Sequence, residues 1–189
     1  EDMEAAEETG VILEEALGKL KAIGIETDTL RTTPIDVFLF DFSSGAGQIK
    51  VLDSEMAGMT ESEVWGRSDM GMSLNLRTYY ENRNAFRAVA GHELFHLFQS
   101  YYDPRRWGQR TFSSASWLWL WEATAVWFEE KMVTGVKNYI SDVTHVNADF
   151  LFRGGLEQSP GLLSSGAARR HGYGAASFIR YLARDNEQR

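Results

Sequence analysis

The sequence predicts an α+β fold, on three observations. Short stretches with strand alternation come first, between Pro34 and Tyr80, and long helical patterns follow from Asn84, an order unlike alternating βαβ units. The composition is 43% hydrophobic and 13% aromatic, enough apolar surface for a sizeable core. A length of 189 residues suits one domain. The expectation is a single domain over residues 1–189. Its N-terminal part, about 1–103, carries an antiparallel or mixed sheet and a long helix, and its mainly helical C-terminal part, about 104–189, flanks a cleft.

Each element has a local reason. Residues 2–22 place Ala6, Ile12, Leu13, Ala16, Leu17 and Leu20 on a helical period, with Gly24 as the stop. "PIDVFLFDF" (34–42) alternates Ile35, Val37 and Leu39 against Asp36, Phe38 and Phe40, and reads as a strand. "SSGAGQ" (43–48) is a turn, "IKVLDS" (49–54) a second strand, 58–71 a loop, and "MSLNLRTYY" (72–80) a third strand. "NAFRAVAGHELFHLFQSYYD" reads as a helix capped by Asn82 or Asn84 and free of proline until Pro104. After the polar connection "DPRRWGQRTFSSAS", residues 117–135 form a second helix, capped by Ser114 or Ser116 and ended near Gly135. A shorter helix is expected within 136–152, a loop over "GGLEQSPGLLSSGAARRHG", and a closing helix over "YGAASFIRYLARDNE".

A formal charge of −8 argues against a nucleic-acid partner, and Arg105, Arg106 and Arg110 are too few for a phosphate track. Cysteine is absent, so disulfides and thiolate chemistry are excluded and any metal site must use His and carboxylates. No apolar run approaches the roughly 20 residues of a membrane span. The acidic opening "EDMEAAEETG" is no signal peptide, and the chain reads as a piece of something longer. Zero Cys fits a bacterial or archaeal source, with a secreted or cell-surface location as the expectation. The acidic residues make no 12-residue calcium loop. The sequence leaves the oligomeric state open.

The chemistry concentrates in "AGHELFHLFQ" (90–99). Residues four apart on a helix are stacked neighbours, so His92 and His96 can hold one metal ion from one turn. Glu93 points roughly 100° away, which lets it reach a water beside the ion without being a ligand. That division of labour suits hydrolysis by a water whose proton a carboxylate takes. Chance produces this five-residue pattern in on the order of one such chain per hundred. The bland alternative is a core helix whose histidines bond internally. A third ligand separates the classes. The metzincin continuation would need Gly and His where Gln99 and Tyr102 stand, and is excluded. Glu122, in the middle of the next helical run, can return to the metal.

"HELFH" followed by "WLWEATAVWFEE" resembles the gluzincins, zinc peptidases of the thermolysin and aminopeptidase type. The second motif is closest to the aminopeptidase helix W-L-N-E-x-x-A-x-x-x-E, matched by Trp119, Leu120, Glu122, Ala125 and Glu129. Trp121 replaces the Asn of that pattern. The resemblance covers residues 34–186, with its specific motifs within 92–99, 119–129 and 173–182, and gives the N-terminal helix no support. It implies a zincin-like arrangement, zinc on His92, His96 and Glu122, Glu93 as general base, and Glu129 as a partner steadying a histidine. It also implies an oxyanion donor from a later helix. Tyr173 takes that place in "YGAASFIRYL", and His171 is the rival, as thermolysin-like enzymes use a His. His145 has no helical partner at metal spacing and reads as a surface residue.

One departure is informative. The aminopeptidase strand motif G-x-M-E-N has "GMSLN" (71–75) as its counterpart, with Leu74 in place of the Glu that holds a substrate's amino terminus. This favours an endopeptidase acting on a peptide or protein. The same segment is expected to be an edge strand above the cleft, with Ser73, Leu74 and Asn75 pairing with an extended peptide. Trp117, Trp119, Trp121 and Trp127 read mainly as core, with Trp121 the best candidate for an aromatic substrate wall. The alternative of a different class is a zinc-binding but proteolytically silent module of a larger extracellular protein, against which the retained Glu93 speaks. The third is a metal-free helical core.

Overall fold

A computed structural model describes residues 2–28, 35–42, 58–61, 71–102, 115–134 and 165–187. They form α1 (Asp2–Ala22), β1 (Asp36–Phe40), β2 (Gly58–Glu61), β3 (Gly71–Asn75), α2 (Leu76–Glu81), α3 (Arg83–Tyr102), α4 (Ala115–Met132) and α5 (Ser165–Glu187). The described residues are mostly helical with one small sheet, broadly α+β. It groups into two units, Glu1–Tyr101 with Lys131–Val136, and Tyr102–Glu130 with Lys137–Arg189.

In the first unit, α1 is the element the sequence made plainest. Its buried stripe is Ala5, Thr9, Ile12, Ala16 and Leu20, one register removed from the expected Ala6, which is exposed. It stops where Gly24 takes a φ of 91°, and Ile25 N–H reaches Leu20 O while Gly24 N–H reaches Lys21 O. That pair of bonds satisfies the last carbonyls as a Schellman motif does. Charged contacts then seat the helix. Glu8 accepts from Tyr79 Oη at 2.7 Å and Arg83 Nη1 at 2.8 Å, Arg83 lies over the Tyr79 ring, and Glu15 pairs with Arg87.

The sheet order is β1-β3-β2, with β1 parallel and β2 antiparallel to β3. The sheet is therefore mixed, and a purely antiparallel one is ruled out for these strands. β1 keeps the predicted alternation from Asp36 to Leu39, with Asp36 and Phe38 exposed and Val37 and Leu39 half-buried, and loses it at Phe40, which is half-buried where exposure was expected. β3 is central and buried at all five positions. The expected edge strand at 71–75 is thus corrected: both edges of β3 are already paired, and Ser73, Leu74 and Asn75 keep at most 2% of their exposure.

Three further boundaries move. Gly58–Glu61 is a strand where a loop was expected. The third strand ends at Asn75 instead of running to Tyr80, because the Asn75 side chain accepts from Arg77 N–H at 3.1 Å and caps α2. A helix there lets Arg77 meet Glu81 and buries Tyr79, which edge-stacks on Phe86. The segment expected as loop up to Gly172 is already helix from Ser165. The turn expected at 43–48, the strand at 49–54, the helix within 136–152, Ser114 and His145 lie outside the described residues, whereas Ser116, the other expected cap of the second helix, lies inside α4 and does not cap it. Among those described, no helix is long and apolar enough to cross a membrane.

α3 starts as the sequence said. Asn82 Oδ1 accepts from Ala85 N–H at 3.1 Å. From Ala90 to Phe98 every residue but His96 is buried, so this is a helix enclosed on nearly all sides. In the second unit, α4 and α5 pack through a simple register. Gly172 lies against Trp119 and Glu122, Ala176 shares a buried cluster with Val126, and Arg180 Nη1 reaches Glu130 Oε1 at 3.3 Å. The contacts advance by four residues along both helices in the same sense, so α4 and α5 run parallel.

Candidate metal centre

The site begins with one turn of α3. His92 keeps 6% of its exposure and Glu93 7%, whereas His96 is half-buried. The two imidazoles stand edge to face, with centroids 4.6 Å apart and planes at 88°. His96 Nδ1 hydrogen-bonds to Gln99 Oε1 at 2.6 Å, so the nitrogen turned away from Gln99 is Nε2.

The third member comes from α4. Glu122, Ala123, Ala125, Val126, Phe128, Glu129 and Met132 are its buried residues, and Glu122 and Glu129 share one face two turns apart. Each of these carboxylates keeps only 6% of its exposure. Glu129 is therefore no solvated surface charge. Burying an ionised carboxylate costs several kcal/mol unless hydrogen bonds or a cation compensate, so this pair marks a place where an apolar residue would have stabilised more simply.

One ligand atom from each of His92, His96 and Glu122 lies within 4.8 Å of the others, and this group can hold a metal ion. The donor set fits zinc. Two imidazoles and a carboxylate are a familiar three-ligand combination, and they leave a coordination position open. With bonds of about 2.0–2.1 Å, tetrahedral ligand atoms stand about 3.3 Å apart.

Other sequence-nominated residues fall differently. His171 and Tyr173 lie on the first half of α5, on either side of Gly172. A methyl group on Gly172 would come within 2.6 Å of both Glu122 Cβ and the Trp119 carbonyl oxygen. Only glycine allows this approach, and it brings the backbone of positions 171–173 against the turn of α4 that carries Glu122. Sequence reading missed Gly172 because it sat in a presumed loop. The available signal was the run of small residues in "GYGAAS", which permits close helix packing. Ser73, Leu74 and Asn75 form the middle of the sheet, and Asn75 is committed to capping α2. Trp119, Trp121 and Trp127 are half-buried.

No protein-family profile, curated protein or solved structure matches this chain.

Proposed function

We propose that this protein is a zinc-dependent hydrolase of peptide bonds, of the gluzincin type and acting as an endopeptidase. The observation that carries the reading is the gathering of His92, His96 and Glu122 ligand atoms, with the buried Glu93 adjoining His92 on the same turn. A metal-free core would gain nothing from three buried glutamates on these helices. A purely structural zinc would gain nothing from Glu93.

Zinc at this site would lower the pKa of a coordinated water toward 7 and polarise the scissile carbonyl. Glu93 supplies the proton traffic. Its carboxylate takes a proton from the attacking water as the C–O bond forms, then gives it to the amide nitrogen as the C–N bond breaks. Glu129 steadies a histidine ligand. A hydrogen-bond donor for the developing oxyanion comes from Tyr173 or His171 on α5. The substrate is an extended peptide without recognition of its amino terminus, because apolar, fully buried Leu74 stands where an aminopeptidase would place a carboxylate. Its binding does not use the edge of β3.

The test is Glu93→Gln, assayed with a casein-type substrate alongside zinc analysis. The proposal predicts retained zinc and activity reduced by about 10²–10⁴-fold, the usual weight of a general base. Equal activity in both proteins would sink it. Retained zinc with no activity in either protein would favour the silent module.

A further inference from the structure

The geometry points to Gln99 as a positioning residue that fixes the tautomer and rotation of His96. This deepens the zinc reading and rests on it. A neutral imidazole carries its proton on either nitrogen, and only the bare one can coordinate a metal. Side chains on a helix lean toward the preceding turn, so a residue three places after His96 covers its ring from the C-terminal side. Gln99 does this, with its Oε1 2.6 Å from His96 Nδ1. A carbonyl oxygen accepts and cannot donate. It therefore holds the proton on Nδ1 and leaves the Nε2 lone pair for the ion.

The arrangement is local and economical. Metal-binding histidines generally present their second nitrogen to a carboxylate, a backbone carbonyl or water, and losing that partner commonly weakens metal binding about 10–100-fold. Here the partner lies on the same helix as the ligand, so the orientation of His96 is set within one turn of α3. The Gln99 position that rules out a metzincin continuation thus acquires a role of its own.

Two measurements test it. The first is the ¹⁵N spectrum of the histidine rings in zinc-free protein at about pH 8, where imidazoles are neutral. His96 should carry its proton on Nδ1, and Gln99→Leu should shift the ring toward a mixture of tautomers. The second is zinc affinity by competition with a chelator. Gln99→Leu should bind zinc about tenfold or more weakly, and Gln99→Glu, which can only accept, should restore binding. A His96 ring protonated on Nε2 in the parent protein would overturn the proposal, as would unchanged affinity in Gln99→Leu. Should both variants fail to fold, the parent spectrum alone decides. If the parent protein binds no zinc, the metal reading itself fails, while the ring spectrum still reports whether Gln99 sets the tautomer.

Discussion

Glutamates serve this protein in two ways, and α1 and α4 show the contrast. On α1, Glu8 and Glu15 are roughly one-third exposed and meet arginines directly, Glu8 with Arg83 and Glu15 with Arg87. Such pairs seat a helix and contribute little each, about 0–1 kcal/mol. On α4, Glu122 and Glu129 occupy a buried face beside Ala125 and Val126, where charge is expensive and an aliphatic residue would serve stability better. The first arrangement is explained by docking. In the second, a cation would offset the cost, and Glu122 with the two histidines forms a group that can hold one.

The sharpest way to break the contrast is Glu93→Gln, whose expected loss of about 10²–10⁴-fold in hydrolysis leaves the fold intact. The next is Gly172→Ala. An alanine in a helix interior ordinarily stabilises relative to glycine by about 1 kcal/mol. Here the added methyl meets Glu122 Cβ and Trp119 O at 2.6 Å, so overpacking should win and cost about 1–3 kcal/mol in urea unfolding. Zinc binding should weaken with it, since the displaced atoms belong to the Glu122 turn. A more stable Gly172→Ala protein would show that α5 does not fix Glu122.

The smallest effect belongs to α1. Burial pushes the Glu15 carboxyl upward, but hydrogen bonds and charge from Arg87 and Lys19 outweigh it and hold its pKa below the ordinary value. A depressed folded-state pKa gives stability that is present above the unfolded value, about 4.3, and lost as pH falls through the folded one. Glu15→Gln should therefore be less stable than the parent by under about 1 kcal/mol at pH 7. The difference should shrink as pH falls below the unfolded value of about 4.3 and vanish once it is below the lowered folded-state one. A gap that widened in acid would contradict the assignment.

How much of this was legible beforehand depends on whether the signal is local. The period of α1, the Asn82 cap of α3 and the spacing of His92, Glu93 and His96 are local, and reading along the chain finds them. The Ala5 stripe in place of Ala6 shows the limit, since which side of a helix is buried depends on what packs there. "MSLNLRTYY" has strand alternation and an i,i+4 Arg77–Glu81 pair at once, and the capping Asn75 side chain decides between them. That β3 lies between two strands is a property of the sheet and is written in no single segment. The closing helix is expected only from Tyr173, after a glycine- and serine-rich stretch ending at Gly172, whereas it begins at Ser165 and close packing on α4 is what requires glycine at 172. Gln99 was visible only as a residue that failed another family's pattern; its bond to His96 emerged from the turn geometry of α3.

The central claim is that His92, His96 and Glu122 form one metal site. Zinc content and affinity, measured on unchelated protein and on Glu122→Ala, test it most directly. The account predicts about one zinc per chain in the parent and affinity lower by at least about tenfold in the variant. Less than about 0.2 zinc per chain in the parent would contradict every ligand named. Unchanged affinity in Glu122→Ala would leave the histidine pair standing and remove the gluzincin reading.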